Sequence, residues 1–324
     1  MVFTLTHLPV DVLVLVFLML DAGQLYSGDL MCVCKTWHMA MQVLRAHLRK
    51  HRWAYYACDL APRVEQGFKN ERFACMATSG SRVYKFVGNV VSWYEGKVRH
   101  TWFVPSSMLC PHAGTCNSFA VVGKLMLFRI CDLLWVFQNG IPVQKLPDVT
   151  HAIKIIRHGQ DAWVLSHRCV YRVTNARCVW KRKSSLHEGL YHDIAIVNDT
   201  IYVLTNRGGL VIKGNIVTRM DVPKRSDLQP LHITAHNNKL YAYGNAHIVV
   251  YDPEPTIVKH VREDIFSLAF VGETMCAAAP DTILVWDTDG PPTLIACPGV
   301  LSVLGVGKEL HAMTVSGTSL VFTQ

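Results

Sequence analysis

The chain has 324 residues, half of them apolar and 17% charged, enough for a packed core and incompatible with global disorder. Its formal charge is +8; residues 1–54 hold five Lys/Arg against three Asp/Glu, so +6 remains on the rest. That excess mildly favours acidic partners and is too small to imply nucleic acid. Eleven cysteines, odd in number and irregularly spaced, read as reduced thiols of a cytoplasmic or nuclear protein.

In chain order, the first notable element is the apolar run at 12–20, VLVLVFLML. As a helix it reaches about 13 Å against a hydrocarbon core of roughly 30 Å, so it is too short to span a membrane. A signal peptide is also disfavoured: no Lys or Arg precedes the run, Asp11 touches its start, and no small-x-small site follows. Leu8-Pro9 followed by Asp11 is instead a helix start. Leu13, Val16, Phe17 and Leu20 then share one face, while Val12, Val14, Leu15, Leu18 and Met19 fill the others. A helix apolar all round needs cover on every side, which a module of this size rarely provides by itself. A second helix is predicted from about Leu30 to Lys50, with Val33, Trp37, Met41, Leu44 and Leu48 on one stripe. Arg45, His47, Arg49 and Lys50 in its last turns suit the negative end of the helix dipole.

The order Leu8-Pro9, Asp11, Leu13, Phe17, Leu20-Asp21, Leu25, then Val33-Cys34-Lys35 and Trp37, resembles the F-box over residues 5–53. The stretch Leu25–Val33 is longer than the family's usual spacing and contains Gly28. The resemblance implies docking on a Skp-family adaptor, and through it on a cullin, in an SCF-type ubiquitin ligase. The docking residues it implies are Leu8, Pro9, Val12, Leu13, Phe17, Leu20, Leu25, Val33, Cys34 and Trp37.

Beyond residue 70 the pattern changes to short β-branched and aromatic runs broken by Gly, Asn, Asp and Pro, which reads as strands and turns. A four-strand unit is visible at Leu231–Val261 and recurs at 193–220 and 265–296, with looser copies beginning near Arg72, Ser118 and Ala152. The third strands VSWY, LWVF, CVYRV, LVIK, IVVY, ILVW and SLVF recur at intervals of 35–45 residues. Seven such units fit a β-propeller, in which each blade covers the face its neighbour cannot bury alone. The repeat is similar to the WD family in a degenerate form: Trp286-Asp287 sits where the WD dipeptide falls and Tyr251-Asp252 echoes it, without the family's Gly-His pairs. The last copy stops after its third strand, so an outer strand is expected from upstream, within Trp53–Phe68. The expected fold is thus α+β and multidomain: a helical F-box (1–52), a linker with a closing outer strand (53–70), and an all-β, seven-bladed propeller (71–324).

No nucleophile elbow, P-loop, dinucleotide fingerprint or H-E-x-x-H motif occurs, and no cofactor is expected. Cys110, His112 and Cys116 form a single C-x-H-x₃-C knuckle, which reads as an ordinary loop because structural zinc usually takes two paired knuckles. With blade strands ordered a to d, Arg168 and Arg207 fall in b–c turns. Lys181-Arg182-Lys183 and Lys224-Arg225 lie near d–a connections on the same face, with Asp132, Asp227, Glu263 and Asp264 nearby. This set is either a solvated, mildly basic rim or an anchor for an acidic or phosphorylated client. The expectation is a non-catalytic, substrate-recruiting subunit of an SCF-type ligase that binds neither nucleic acid nor membrane. The alternatives are an interaction scaffold without ligase role and a secreted propeller enzyme or lectin.

Overall fold

The computed structural model describes residues 37–40, 54–59, 74–95, 98–105, 118–130, 133–220, 231–244, 247–252, 255–261, 263–287, 290–315 and 317–323. Among these the chain is all-β apart from the helical segment Trp37–Ala40. The remainder of the expected F-box helices, and every implied adaptor contact except Trp37, lie outside the described residues. So does the Cys110–Cys116 knuckle.

Seven four-stranded antiparallel sheets form a seven-bladed propeller. Strand β1 is Ala54–Asp59. Blade 1 comprises β2–β5, Ala74–Ser79, Arg82–Val87, Val90–Glu95 and Val98–Phe103; blade 2 comprises β6–β9, Phe119–Val122, Leu125–Ile130, Leu133–Gln138 and Ile141–Thr150. Blade 3 is β10–β13, Ala152–His158, Asp161–Ser166, Cys169–Thr174 and Arg177–Lys183; blade 4 is β14–β17, Tyr191–Val197, Thr200–Thr205, Gly208–Lys213 and Ile216–Met220. Blade 5 is β18–β21, His232–His236, Lys239–Gly244, His247–Tyr251 and Pro255–His260. Blade 6 is β22–β25, Ser267–Val271, Thr274–Ala279, Thr282–Trp286 and Thr293–Ala296. Blade 7 is β26–β28, Val300–Val306, Glu309–Thr314 and Ser319–Thr323, completed by β1.

The chain divides into two compact units, Val64–Ile265 and Met1–Arg63 with Phe266–Gln324. In the larger unit, the first strand of each blade lies beside that of the next, and a core fills each junction. Because successive residues point to opposite faces, one strand feeds two cores. Ile194 and Ile196 of β14 pack towards blade 3, whereas Ala195 and Val197 pack towards blade 5. This is why the first strands read as unbroken apolar runs. The blade 1–2 junction is the aromatic one, with Phe119 stacked on Phe128 at 5.1 Å and Trp102 against Phe137 at 4.7 Å. Tight hairpins use left-handed residues, Asn198-Asp199 and Asn237-Asn238, the pairs suited to two-residue turns.

In the smaller unit, β1 pairs antiparallel with β28 from Ala54↔Thr323 to Asp59↔Ser319. It thereby covers the edge that the short final repeat would leave unpaired. Blades 6 and 7 approach so closely at Gly305 that a Cβ there would lie 1.8 Å from the Phe270 carbonyl oxygen.

Candidate functional site

The site is built where blade 3 hands the chain to blade 4. The connection 184–190 leaves β13 and crosses the b–c turns of both blades. Ser184 N donates to the Arg168 carbonyl at 2.7 Å, and Tyr191 N to the His167 carbonyl at 2.9 Å. Asn206, in the b–c turn of blade 4, holds the far end: its Oδ1 accepts from Leu190 N at 2.9 Å and its own N donates to the Leu190 carbonyl at 3.1 Å. Gly189 is required at this closure, since it has φ +86° and a Cβ would meet Asn206 Oδ1 at 2.2 Å. Arg207 then reaches across, donating from Nη1 to the Leu186 carbonyl at 3.2 Å.

Behind the connection sits a closed ion pair. Arg182 binds Glu188 in bidentate fashion, at 3.0 and 2.5 Å. Tyr191 Oη donates to Glu188 Oε2 at 2.8 Å while accepting from Arg182, and Ser185 N donates to the same carboxylate at 3.2 Å. Burial works against the Glu188 charge, yet the Arg182, Tyr191 and Ser185 hydrogen bonds hold its carboxyl below the ordinary range. Tyr191, fully buried, is raised by burial and by Glu188.

Between this wall and the outer strands of blade 4 lies a cleft of about 210 Å³. Its lining includes His187, Glu188, Arg207, Thr218 and Arg219, with Gly209 and Leu210 beneath. Arg219 is exposed and has no carboxylate partner among the described residues, and the Arg207 guanidinium there bonds only the Leu186 carbonyl.

The basic residues expected from sequence separate into three groups. Arg168 and Arg207 do lie in b–c turns beside the same connection and are exposed. Lys181, Arg182 and Lys183 do not act as one cluster, because β13 alternates its faces. Lys181 stacks over Tyr171 at 5.3 Å and, with the exposed Lys183, belongs to the face opposite Arg182. Arg182, by contrast, is half-buried and held by Glu188 in an ion pair, so it does not stand with Lys181 and Lys183 on one exposed basic face. Lys224 and Arg225 lie outside the described residues. Arg219 and Glu188 were invisible in the sequence, since the cleft they line forms only where the connection packs against the outer strands of blade 4.

A second polar cluster lies on the first strands of blades 3 to 5. Asp193 of β14 is almost fully buried and accepts from Lys154 Nζ, from Ile194 N at 2.7 Å and from Ile233 N at 3.0 Å, with His232 Nδ1 at 3.3 Å. Burial opposes its charge, but Lys154 first, then His232 and Ile233 N, bring its carboxyl below the usual value. The same position recurs: Ser118 bridges Ile155 N and O at 2.7 and 2.8 Å, and Ser267 bridges Val303 N and O at 3.2 and 3.3 Å. A polar residue followed by apolar-Ala-apolar-Val marks each of these first strands (118–122, 193–197, 267–271), a signal present in the sequence. This position is a latch between neighbouring blades.

Among the described residues there is no group of three or more metal-ligating side chains and no helix long and apolar enough to cross a membrane. Among the described residues, Cys169, Cys178 and Cys276 are free thiols.

No protein-family model matches the chain, and no curated protein sequence does. Solved structures do. A catalytically inactive virginiamycin B lyase of Staphylococcus aureus, with quinupristin, aligns at TM-score 0.67 and 11% identity, covering 83% of this chain and 99% of that one. BBS1N in complex with ARL6DN aligns at 0.60 and 11%, covering 84% and 96%. BamB of Moraxella catarrhalis aligns at 0.53 and 10%, covering 78% and 84%. At such identities the likeness is one of fold: propellers that share an architecture and differ in what they do.

Proposed function

We propose that this chain is a non-catalytic, substrate-recruiting subunit of an SCF-type ubiquitin ligase, its N-terminal module docking a Skp-family adaptor and its propeller holding the client. The observation that carries the propeller half is the blade 3–4 connection. Arg207, braced on the Leu186 carbonyl, and Arg219 line an open cleft, while Glu188 in the same wall is ion-paired from behind by Arg182. The N-terminal half rests on the Leu8-Pro9 to Trp37 pattern. It is also supported by the place of β1, which begins at Ala54 and is hydrogen-bonded into blade 7, so little chain separates the F-box-like stretch from a folded sheet. The mechanism is positional: the client lysine is brought near a charged ubiquitin carrier, and no residue of this chain does covalent chemistry.

The test is co-purification from cells with the ligase pathway inhibited. Wild type should recover a Skp-family adaptor and a cullin, and Leu8→Ala/Pro9→Ala or Trp37→Ala should lose both. Equal recovery by wild type and both variants would overturn docking through these F-box positions, and no adaptor with wild type would leave the chain as an interaction scaffold without ligase role.

A further inference from the structure

We propose that the blade 3–4 cleft is a subsite for a single unphosphorylated Asp or Glu side chain of a client segment, with Leu186 and Leu190 gripping an apolar residue beside it. The proposal rests on the reading of the propeller as a client receptor and specifies the chemistry that the receptor reads.

Size comes first. A cleft of about 210 Å³ holds the volume of roughly seven waters at about 30 Å³ each. Pockets that enclose whole small molecules are larger, roughly 300–1,000 Å³. One side chain fits here.

Charge decides which side chain. The lining presents Arg207 and Arg219 with guanidinium groups free of carboxylate partners among the described residues, and Thr218 adds a hydroxyl donor. Glu188 stands in the same wall, and the hydrogen bonds from Arg182, Tyr191 and Ser185 N keep it ionised. A carboxylate monoanion matches two arginines facing one fixed carboxylate. Arg182 does not line the cleft, so its pair with Glu188 turns the negative end towards the ligand, and a phosphate, at about −1.5 to −2, would meet that end with a second negative charge.

The apolar contact follows from the connection. Leu186 is 81% exposed and Leu190 41%, yet neither sits on a loose loop. Leu190 exchanges two hydrogen bonds with Asn206, and the Leu186 carbonyl is held by Arg207. An exposed leucine whose backbone is already ordered adds contact at little entropic cost. Because Arg207 both braces Leu186 and lines the cleft, the acidic and apolar contacts are adjacent, so the two recognised residues are near neighbours in the client sequence.

The test is fluorescence anisotropy with the full chain and a labelled synthetic peptide in which Glu and Leu alternate between Gly-Ser flanks. Two control peptides replace each Glu with Gln or with phosphoserine. The Glu–Leu peptide should bind saturably, the Gln peptide about tenfold more weakly, and the phosphoserine peptide no better than Glu. Arg219→Gln should weaken the Glu–Leu peptide about tenfold and Leu186→Ser roughly fivefold. Both positions are exposed, so thermal melting should be unchanged and serves as the folding control. No saturable binding, titrations unchanged in both variants, or tighter binding of the phosphoserine peptide would overturn the proposal. Recovery of adaptor and cullin is read separately: peptide binding without adaptor removes the ligase role and leaves the subsite. Adaptor without peptide binding does the reverse.

Discussion

Lysine, arginine, aspartate and glutamate are used in two places around blade 4, with opposite results. On the first strands, Asp193 is buried and every neighbour serves it: Lys154 from blade 3, His232 and Ile233 N from blade 5. At the blade 3–4 connection, one pair, Arg182 with Glu188, is equally closed, but Arg207 and Arg219 stand next to it without a carboxylate among the described residues. Saturated charge holds blades together; charge left open by a neighbouring saturated pair is available to a ligand. A buried carboxylate with all its donors satisfied has little left to offer a partner.

That contrast can be broken most forcefully at Asp193. Asp193→Ala would leave Lys154 without its counter-charge and the Ile233 N–H without its acceptor, a loss on the order of 3–5 kcal/mol for a buried pair broken on one side. Urea denaturation measures it, and a loss below about 1 kcal/mol would mean that the latch does not bind the blades together.

Acid should act on both clusters with the same sign. Asp193 and Glu188 have carboxyls lowered in the folded protein, whereas in the unfolded chain they take up protons near pH 4. Their contribution is therefore fully present above that range and is lost as pH falls through the folded values. Urea midpoints followed downwards from pH 6 should drop below about pH 4, and the drop should be shallower in Asp193→Ala. Parallel curves for the two proteins would show that Asp193 is not a source of the acid sensitivity.

The smallest effect is expected at the open charge. Arg219→Gln should change unfolding free energy by less than about 0.5 kcal/mol, as an exposed residue with no described ion pair should. A larger loss would show that Arg219 is engaged within the fold and that the distinction between the two clusters is wrong.

Much of the propeller was legible because its physics is local. Strands buried on both faces must be apolar at consecutive positions, and hairpins that need left-handed residues draw on Asn and Asp, as at 198–199 and 237–238. The truncated last repeat called for an upstream strand, and Ala54–Asp59 occupies that edge. The placing of Arg168 and Arg207 in b–c turns followed from strand order alone. The run Lys181-Arg182-Lys183 misled for the converse reason: neighbours in sequence point to opposite faces of a strand, so Arg182 meets Glu188 while Lys181 lies over Tyr171. The latch was written in the sequence as Ser118, Asp193 and Ser267 before similar apolar runs. Reading it required knowing that each faces the backbone of the following blade.

By itself, then, the sequence determined the repeat, the order of strands within a blade and the residues placed in each turn, since these depend on periodicities of a few residues. Which charges are spent and which remain open was decided only by the tertiary structure. Lys154 and Asp193 are 39 positions apart, and Asp193 and Ile233 are 40. Their meeting depends on how one blade stacks on the next, and Coulomb attraction and hydrogen bonding respond to distance in space, not along the chain.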